Sequence, residues 1–108
     1  MAAGDVTVNF DTGRGIGRQQ RLIAGTVVLD GGNATPIALA AYFKEVKGSV
    51  VSISGSTAPG VDPTQVSSAI SGTTVNVYAW KITATGDGTL IASTDNARVV
   101  NFVAWGRP

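Results

Sequence analysis

Short stretches in which apolar and polar side chains alternate are the feature that most constrains this fold. In residues 5–10 (DVTVNF), Val6, Val8 and Phe10 fall on one side of an extended chain and the polar residues on the other. An alternation with a period of two is the signature of a half-buried strand, and many such strands separated by turns predict a sandwich or barrel. The expected strands are 5–10, 22–30, 49–54, 66–70, 73–83, 89–93 and 98–105.

Two segments are less regular. Residues 35–48 (TPIALAAYFKEVKG) predict one short helix, because Thr35 suits an N-cap, Pro36 the first helical position and Gly48 the end. Residues 66–70 (VSSAI) fit either a helix, after the cap-like DPTQ, or a strand that turns through Ser71-Gly72 into the next one. The strand is the favoured alternative for this second segment.

Nearly the same hexapeptide occurs twice, as VNVYAW at 75–80 and VNFVAW at 100–105, and the two copies contain both tryptophans. Alternation places Val75, Val77, Ala79, Val100, Phe102 and Ala104 on one set of faces. The opposite faces carry Asn76, Tyr78, Trp80, Asn101, Val103 and Trp105. Either the two strands pair in one sheet and the tryptophans fill its core, or the aromatic faces pack against a neighbouring subunit.

The low charge of the chain favours the second alternative. Charged residues make up 14% of the 108 residues and the net charge is +1, whereas about 25% is usual for a soluble domain. A neutral exterior on a chain of one-domain length indicates that part of the surface is buried against a partner.

The usual chemical groups of enzymes are scarce. The chain has no Cys and no His, so a hydrolase triad and the commonest metal ligands are missing. The seven acidic residues are scattered and only one is Glu. We therefore expect no catalytic residue, no metal, no cofactor and no enzymatic activity. MAAGD does not resemble the start of a secretory signal, and no apolar run is long enough to predict a membrane span.

A glycine- and arginine-rich segment, TGRGIGR at 12–18, has the spacing G-x-G-x-G and precedes a predicted strand. A dinucleotide loop needs G-x-G-x-x-G followed by a helix, so this pattern does not predict phosphate binding. Arg14, Arg18 and Arg21 instead suit a solvated loop, an anchor for an acidic protein surface or, less well at this net charge, a nucleic-acid contact.

The start MAAGDVTV, the pattern SGTTVNVYAWKIT followed by TLIAST, and the ending VVNFVAWG together resemble the capsid decoration (cement) proteins and similar small head-surface proteins of tailed bacteriophages. The resemblance implies an all-β, jelly-roll-like β-sandwich or barrel, here with the one short helix. It also implies a homotrimer that clamps neighbouring major capsid subunits. Residues 1–21 would form an N-terminal arm with the first short strand, and residues 22–108 the β-sandwich of a single overall domain.

On this resemblance we expect a structural virion protein, made in the host cytoplasm and located on the outer capsid surface, with the major capsid protein as its partner. No membrane or direct nucleic-acid contact is expected. The candidate self-association or core patch is Tyr78, Trp80, Val103 and Trp105, and the candidate capsid contacts are Arg14, Arg18 and Arg21. The alternative function is a small phage tail-surface or lectin-like module that binds a host glycan through a concave aromatic and acidic site.

Overall fold

The computed structural model describes residues 3–12, 20–32, 34–55, 65–82, 90–93 and 95–108. This part of the chain is all-β, as predicted, and contains no helix. The strands are β1 (Val6–Asp11), β2 (Arg21–Val28), β3 (Thr35–Ala38), β4 (Glu45–Ile53), β5 (Gln65–Ser71), β6 (Thr74–Ile82), β7 (Leu90–Ala92) and β8 (Val99–Arg107).

The strands form two antiparallel sheets. Sheet I has the order β1-β2-β8-β4. In sheet II, β6 is central, β5 pairs along one edge, and β3 and β7 pair with successive parts of the other edge. β6 and β8, which carry the two hexapeptides, are thus in different sheets, and the interpretation that pairs them in one sheet is wrong.

The inner faces of the two sheets share one hydrophobic core. Sheet I contributes Ile23, Val27, Val46, Val100, Phe102 and Ala104, and sheet II contributes Ile37, Val75, Val77 and Ala79. These positions include one complete face of each hexapeptide, as the alternation predicted. The tryptophans belong to the opposite faces and are absent from this core.

The predicted helix over residues 35–48 is wrong, because the segment forms β3, a turn and the start of β4. Thr35, Ile37 and Leu39 are buried, and they alternate with exposed residues. A strand places residues with this period of two on one face, whereas a helix does not. Pro36 is tolerated because β3 is an edge strand, where a missing N–H group breaks no ladder on the open side. Burial of alternate side chains therefore outweighed helix propensity.

The predicted turn through Ser71-Gly72 is confirmed. In the β5–β6 hairpin Ser71 lies opposite Thr74, and Gly72 has a φ of 61°, which the first central position of a type II′ turn requires. Residues 66–70 are accordingly a strand. In the turn after β2, the Asp30 side chain accepts a hydrogen bond from the Gly32 N–H at 2.8 Å.

Both edge strands of sheet I contain a bulge that faces a glycine. The register of β1 shifts between Val8 and Phe10, and Val8 lies opposite Gly25. The register of β4 shifts between Val46 and Gly48, and Val46 lies opposite Gly106. A Cβ atom at either of the facing glycines would overlap backbone of the bulged strand, so the glycines allow the bulges to form.

The first bulge changes which way Phe10 points. Val8 packs against the core, whereas Phe10 lies opposite Ala24 and is 56% exposed. The expectation that Val6, Val8 and Phe10 share one side therefore fails at Phe10. Residues 6–11 of the expected N-terminal arm are hydrogen-bonded along β2 as an edge strand.

Candidate functional site

The outer face of sheet I carries a continuous row of apolar side chains across all four strands. Phe10 lies opposite Ala24, Ala24 opposite Val103, and Val103 opposite Val50. Phe10 and Val50, at the two ends of the row, are 56% and 57% exposed. The next row adds Leu22 opposite Trp105. We call these side chains the apolar patch: Phe10, Leu22, Ala24, Val50, Val103 and Trp105.

Gly48 determines how Trp105 lies in the apolar patch. The two residues are opposite each other in the β4–β8 register. A Cβ atom built on Gly48 would overlap the indole ring and would lie 2.7 Å from its Nε1 atom. The indole therefore lies directly over the backbone of β4, and Trp105 remains half-buried without entering the core.

Neutral polar side chains border the apolar patch on one side. This row, continuous in register across the strands, consists of Thr7, Thr26, Asn101 and Ser52. On the other side, Glu45 lies opposite Arg107, and the Nζ atom of Lys47 lies 2.9 Å from the Oε1 atom of Glu45. The hydrogen bond from Lys47 lowers the pKa of Glu45, so this exposed carboxylate is ionised at neutral pH. An apolar centre with a polar and charged border is the usual anatomy of a protein–protein contact.

The outer face of sheet II has a different chemistry. Tyr78 and Trp80 are half-buried on the outward side of β6, with ring centroids 6.3 Å apart and ring planes 19° from parallel. The Nε1–H group of Trp80 donates a hydrogen bond to Ser67 Oγ at 2.9 Å. Gln65 lies opposite Trp80, and Asn76 precedes Tyr78 on the same face. We call Gln65, Ser67, Asn76, Tyr78 and Trp80 the aromatic face.

The structure therefore divides the predicted self-association residues between two surfaces. Val103 and Trp105 lie in the apolar patch, and Tyr78 and Trp80 lie on the aromatic face of the other sheet. Sequence reasoning missed Phe10 and Val50, the most exposed members of the patch. The adjacent valines 50 and 51 were a usable signal for Val50, since neighbouring strand residues point to opposite faces and one valine had to face outward.

Arg21 is held inside the subunit at one end of sheet I. Its Nε and Nη2 atoms donate to the two carboxylate oxygens of Asp11 at 2.9 and 2.7 Å, and its Nη1 atom donates to the Tyr42 carbonyl oxygen at 3.0 Å. The hydrogen bonds to Asp11 raise the pKa of the guanidinium above its usual value. Arg14 and Arg18 lie outside the described residues, so the capsid-contact role of the three arginines stays a prediction.

The bidentate Arg21–Asp11 pair is expected to contribute modestly to stability. In a double-mutant cycle with Arg21→Gln and Asp11→Asn, we expect a coupling free energy of about 0.5–1 kcal/mol, because the pair is well oriented but retains contact with water. Urea unfolding of the four proteins measures this value, which should decrease at high salt. A coupling of zero at low salt would show that the observed geometry contributes nothing to stability.

The described residues present flat faces without an enclosed site. They contain no pocket, and no group of three or more acidic, histidine or cysteine side chains that could hold a metal ion. Within the same part of the chain, no helix is long and apolar enough to cross a membrane. The candidate surfaces are therefore the apolar patch and the aromatic face.

Comparison of the chain with protein-family models, with curated proteins and with solved structures gave no match. The function is accordingly inferred from the chemistry of these two faces, together with the resemblance seen in the sequence.

Proposed function

We propose that this protein is a structural virion protein that self-associates, binds the outside of a phage capsid and stabilises the shell by bridging major capsid subunits. The observation that carries the proposal is the apolar patch, a partly exposed row of hydrophobic side chains across a whole sheet, with Phe10 and Val50 the exposed ends of the row. Further support comes from the resemblance to decoration proteins and from the low charge of the chain.

A second copy of the chain is the proposed partner of the apolar patch. The patch contains no charged residue, so it offers no electrostatic recognition to an acidic or basic partner. An identical neutral patch is compatible with it in composition, and equivalent side chains meet where copies pack about a shared symmetry axis. Three copies around a threefold axis would bury their patches against one another, with the charged border at Glu45 and Arg107 left in water.

The size of the patch indicates that such a contact is weak by itself. The apolar patch spans three strand spacings of about 4.8 Å across the sheet and two rows of side chains about 7 Å apart along the strands. Its flat area is therefore roughly 200–300 Å². A stable complex typically buries about 800 Å² on each partner. Copies arranged on a capsid would gain strength from simultaneous contacts, because every contact after the first is effectively intramolecular. Contacts that are weak singly and strong together therefore fit a bridging protein present in many copies better than a tight oligomer free in solution.

The remaining parts of the proposal concern the shell. The segment around Arg14, Arg18 and Arg21 is proposed to contact the major capsid protein, with residues 1–21 as the arm that reaches it. A jelly-roll-like strand order stays a prediction, alongside the two antiparallel sheets established for the described residues. The proposed location is the outer capsid surface, after synthesis in the host cytoplasm.

Binding to empty capsids tests this function. Purified protein is mixed with undecorated capsids of the phage that encodes it, and bound protein is quantified after sedimentation. We expect saturable binding and a higher temperature of shell disruption. The Arg14→Gln/Arg18→Gln variant should bind more weakly, because it removes two charged contacts, and capsids already saturated with native protein are the control. Absence of binding to undecorated shells would contradict the proposal.

A further inference from the structure

The aromatic face is not part of the self-association proposed above, and its two aromatic rings have a defined arrangement. The ring planes of Tyr78 and Trp80 are 19° from parallel, and both rings are on the outer side of the central strand β6. The hydrogen bond from Trp80 Nε1 to Ser67 Oγ fixes the indole on its neighbour strand. Two aromatic rings are thus held in place at the surface, so little conformational entropy is lost when a ligand stacks on them.

The surroundings of the two rings are neutral and rich in hydrogen-bonding groups. Gln65, Ser67 and Asn76 provide amide and hydroxyl groups at the ring edges. The other outward positions of sheet II whose side chains the structure describes carry no charge: Pro36, Ala38, Ala69, Ser71, Thr74 and Ala92. Around the rings, the described side chains on β3 and β5 leave room for an extended ligand.

This combination distinguishes the aromatic face from the apolar patch. A purely apolar partner would cover the amide groups of Gln65 and Asn76 without replacing their hydrogen bonds to water, which is costly. A charged ligand would find no opposite charge among the described side chains of this face. A ligand with apolar C–H faces that stack on the rings and hydroxyl groups that bond to the amides satisfies both parts of the surface, and neutral sugars have this chemistry.

We propose that the aromatic face binds a neutral saccharide chain, with sugar rings stacked on Trp80 and Tyr78 and their hydroxyl groups hydrogen-bonded to Gln65 and Asn76. This goes beyond the proposed shell function and is independent of it, since the two surfaces lie on different sheets. The flat surface suits successive sugars of a chain better than a single sugar enclosed in a pocket.

Fluorescence titration of Trp80 tests the proposal directly. The Trp105→Phe variant leaves Trp80 as the only tryptophan of the chain and keeps an aromatic ring in the apolar patch. The full chain is titrated with neutral oligosaccharides of glucose, mannose, galactose and N-acetylglucosamine. We expect a saturable change in Trp80 emission with at least one of them.

Variants of the aromatic face supply the matched controls. In the same background, Tyr78→Ala should weaken binding by at least about tenfold, because one stacking surface is lost. Gln65→Ala and Asn76→Ala leave both rings in place, and each should weaken binding severalfold because a hydrogen bond to a sugar hydroxyl group is lost. Ile70→Ser, on β5 but outside the aromatic face, should bind like the background protein. Thermal unfolding of each variant confirms that it is folded.

Three results would overturn the proposal. They are no emission change with any of these oligosaccharides, a change that persists unaltered in the Tyr78→Ala, Gln65→Ala and Asn76→Ala variants, and a decrease in oligomer mass when Tyr78→Ala is made in the absence of saccharide. The last would identify the face as a subunit contact. Capsid binding by the same variants separates the two proposals, since loss of saccharide binding with normal capsid binding supports this one.

Discussion

Replacing Gly106 by alanine is expected to lower the free energy of unfolding by about 3 kcal/mol or more, a large part of what a small domain has. The new Cβ atom would overlap the Glu45 carbonyl oxygen and lie 2.9 Å from Val46 Cα and 3.0 Å from Lys47 N. All three atoms are backbone, so no side-chain rotation relieves the contact. The bulge of β4 or its pairing with β8 has to change.

Urea denaturation measures this effect, and Gly32→Ala is the matched control. At Gly32 the nearest atom to a new Cβ is the side-chain Oδ1 of Asp30 at 3.2 Å, which can move. We expect a change of less than about 1 kcal/mol there, because the loss of chain entropy in the unfolded state partly offsets the crowding. Equal destabilisation of the two variants would show that Gly106 is not required for the close approach of β4 and β8.

The double substitution Phe10→Ser/Val50→Ser is expected to weaken self-association by two to three orders of magnitude. Burying the exposed half of these side chains is worth about 1 kcal/mol each, and every contact between copies involves the patches of both. About 3–4 kcal/mol is therefore lost for each contact, which corresponds to a factor of roughly 100–1,000 in the dissociation constant. The free energy of unfolding of the isolated subunit should change by less than about 0.5 kcal/mol for each exposed position.

The control for this prediction is Ile70→Ser/Ile91→Ser. These isoleucines are 39% and 40% exposed, and they belong to sheet II, away from the apolar patch. Their substitution also removes exposed apolar surface, so it distinguishes a specific contact through the apolar patch from non-specific hydrophobic association. If both double variants weaken association equally in sedimentation velocity, the apolar patch is not the contact surface.

The alternation of side chains predicted seven of the eight described strands, and it predicted which residues of each hexapeptide share a face. Val75 and Val100 are fully buried where the pattern placed them. Alternation does not say which strand lies beside which, so it left open that β6 and β8 belong to different sheets. Helix propensity was misleading at residues 35–48, where alanine and lysine favour a helix in isolation but the burial of Ile37 and Leu39 in the sandwich decides the structure.

The candidate surfaces were only partly predictable for a related reason. The sequence left open whether Trp80 and Trp105 fill the core or pack against a neighbouring subunit, and the structure places them outside the core on two different faces. The exposure of Phe10 depends on the β1 bulge, and that bulge depends on Gly25 in a strand ten or more residues away in sequence. Such long-range backbone contacts leave no periodic signal in the local sequence.

Sedimentation equilibrium of the native protein tests whether the outer face of sheet I is covered by other copies of the chain. The average mass is measured from low micromolar concentration to about 1 mM, the range in which a contact of this size is populated. We predict that the mass rises with concentration from one chain toward three, and that Phe10→Ser/Val50→Ser stays at one chain. A native protein that remains at the mass of one chain up to about 1 mM would contradict the proposed self-association through the apolar patch.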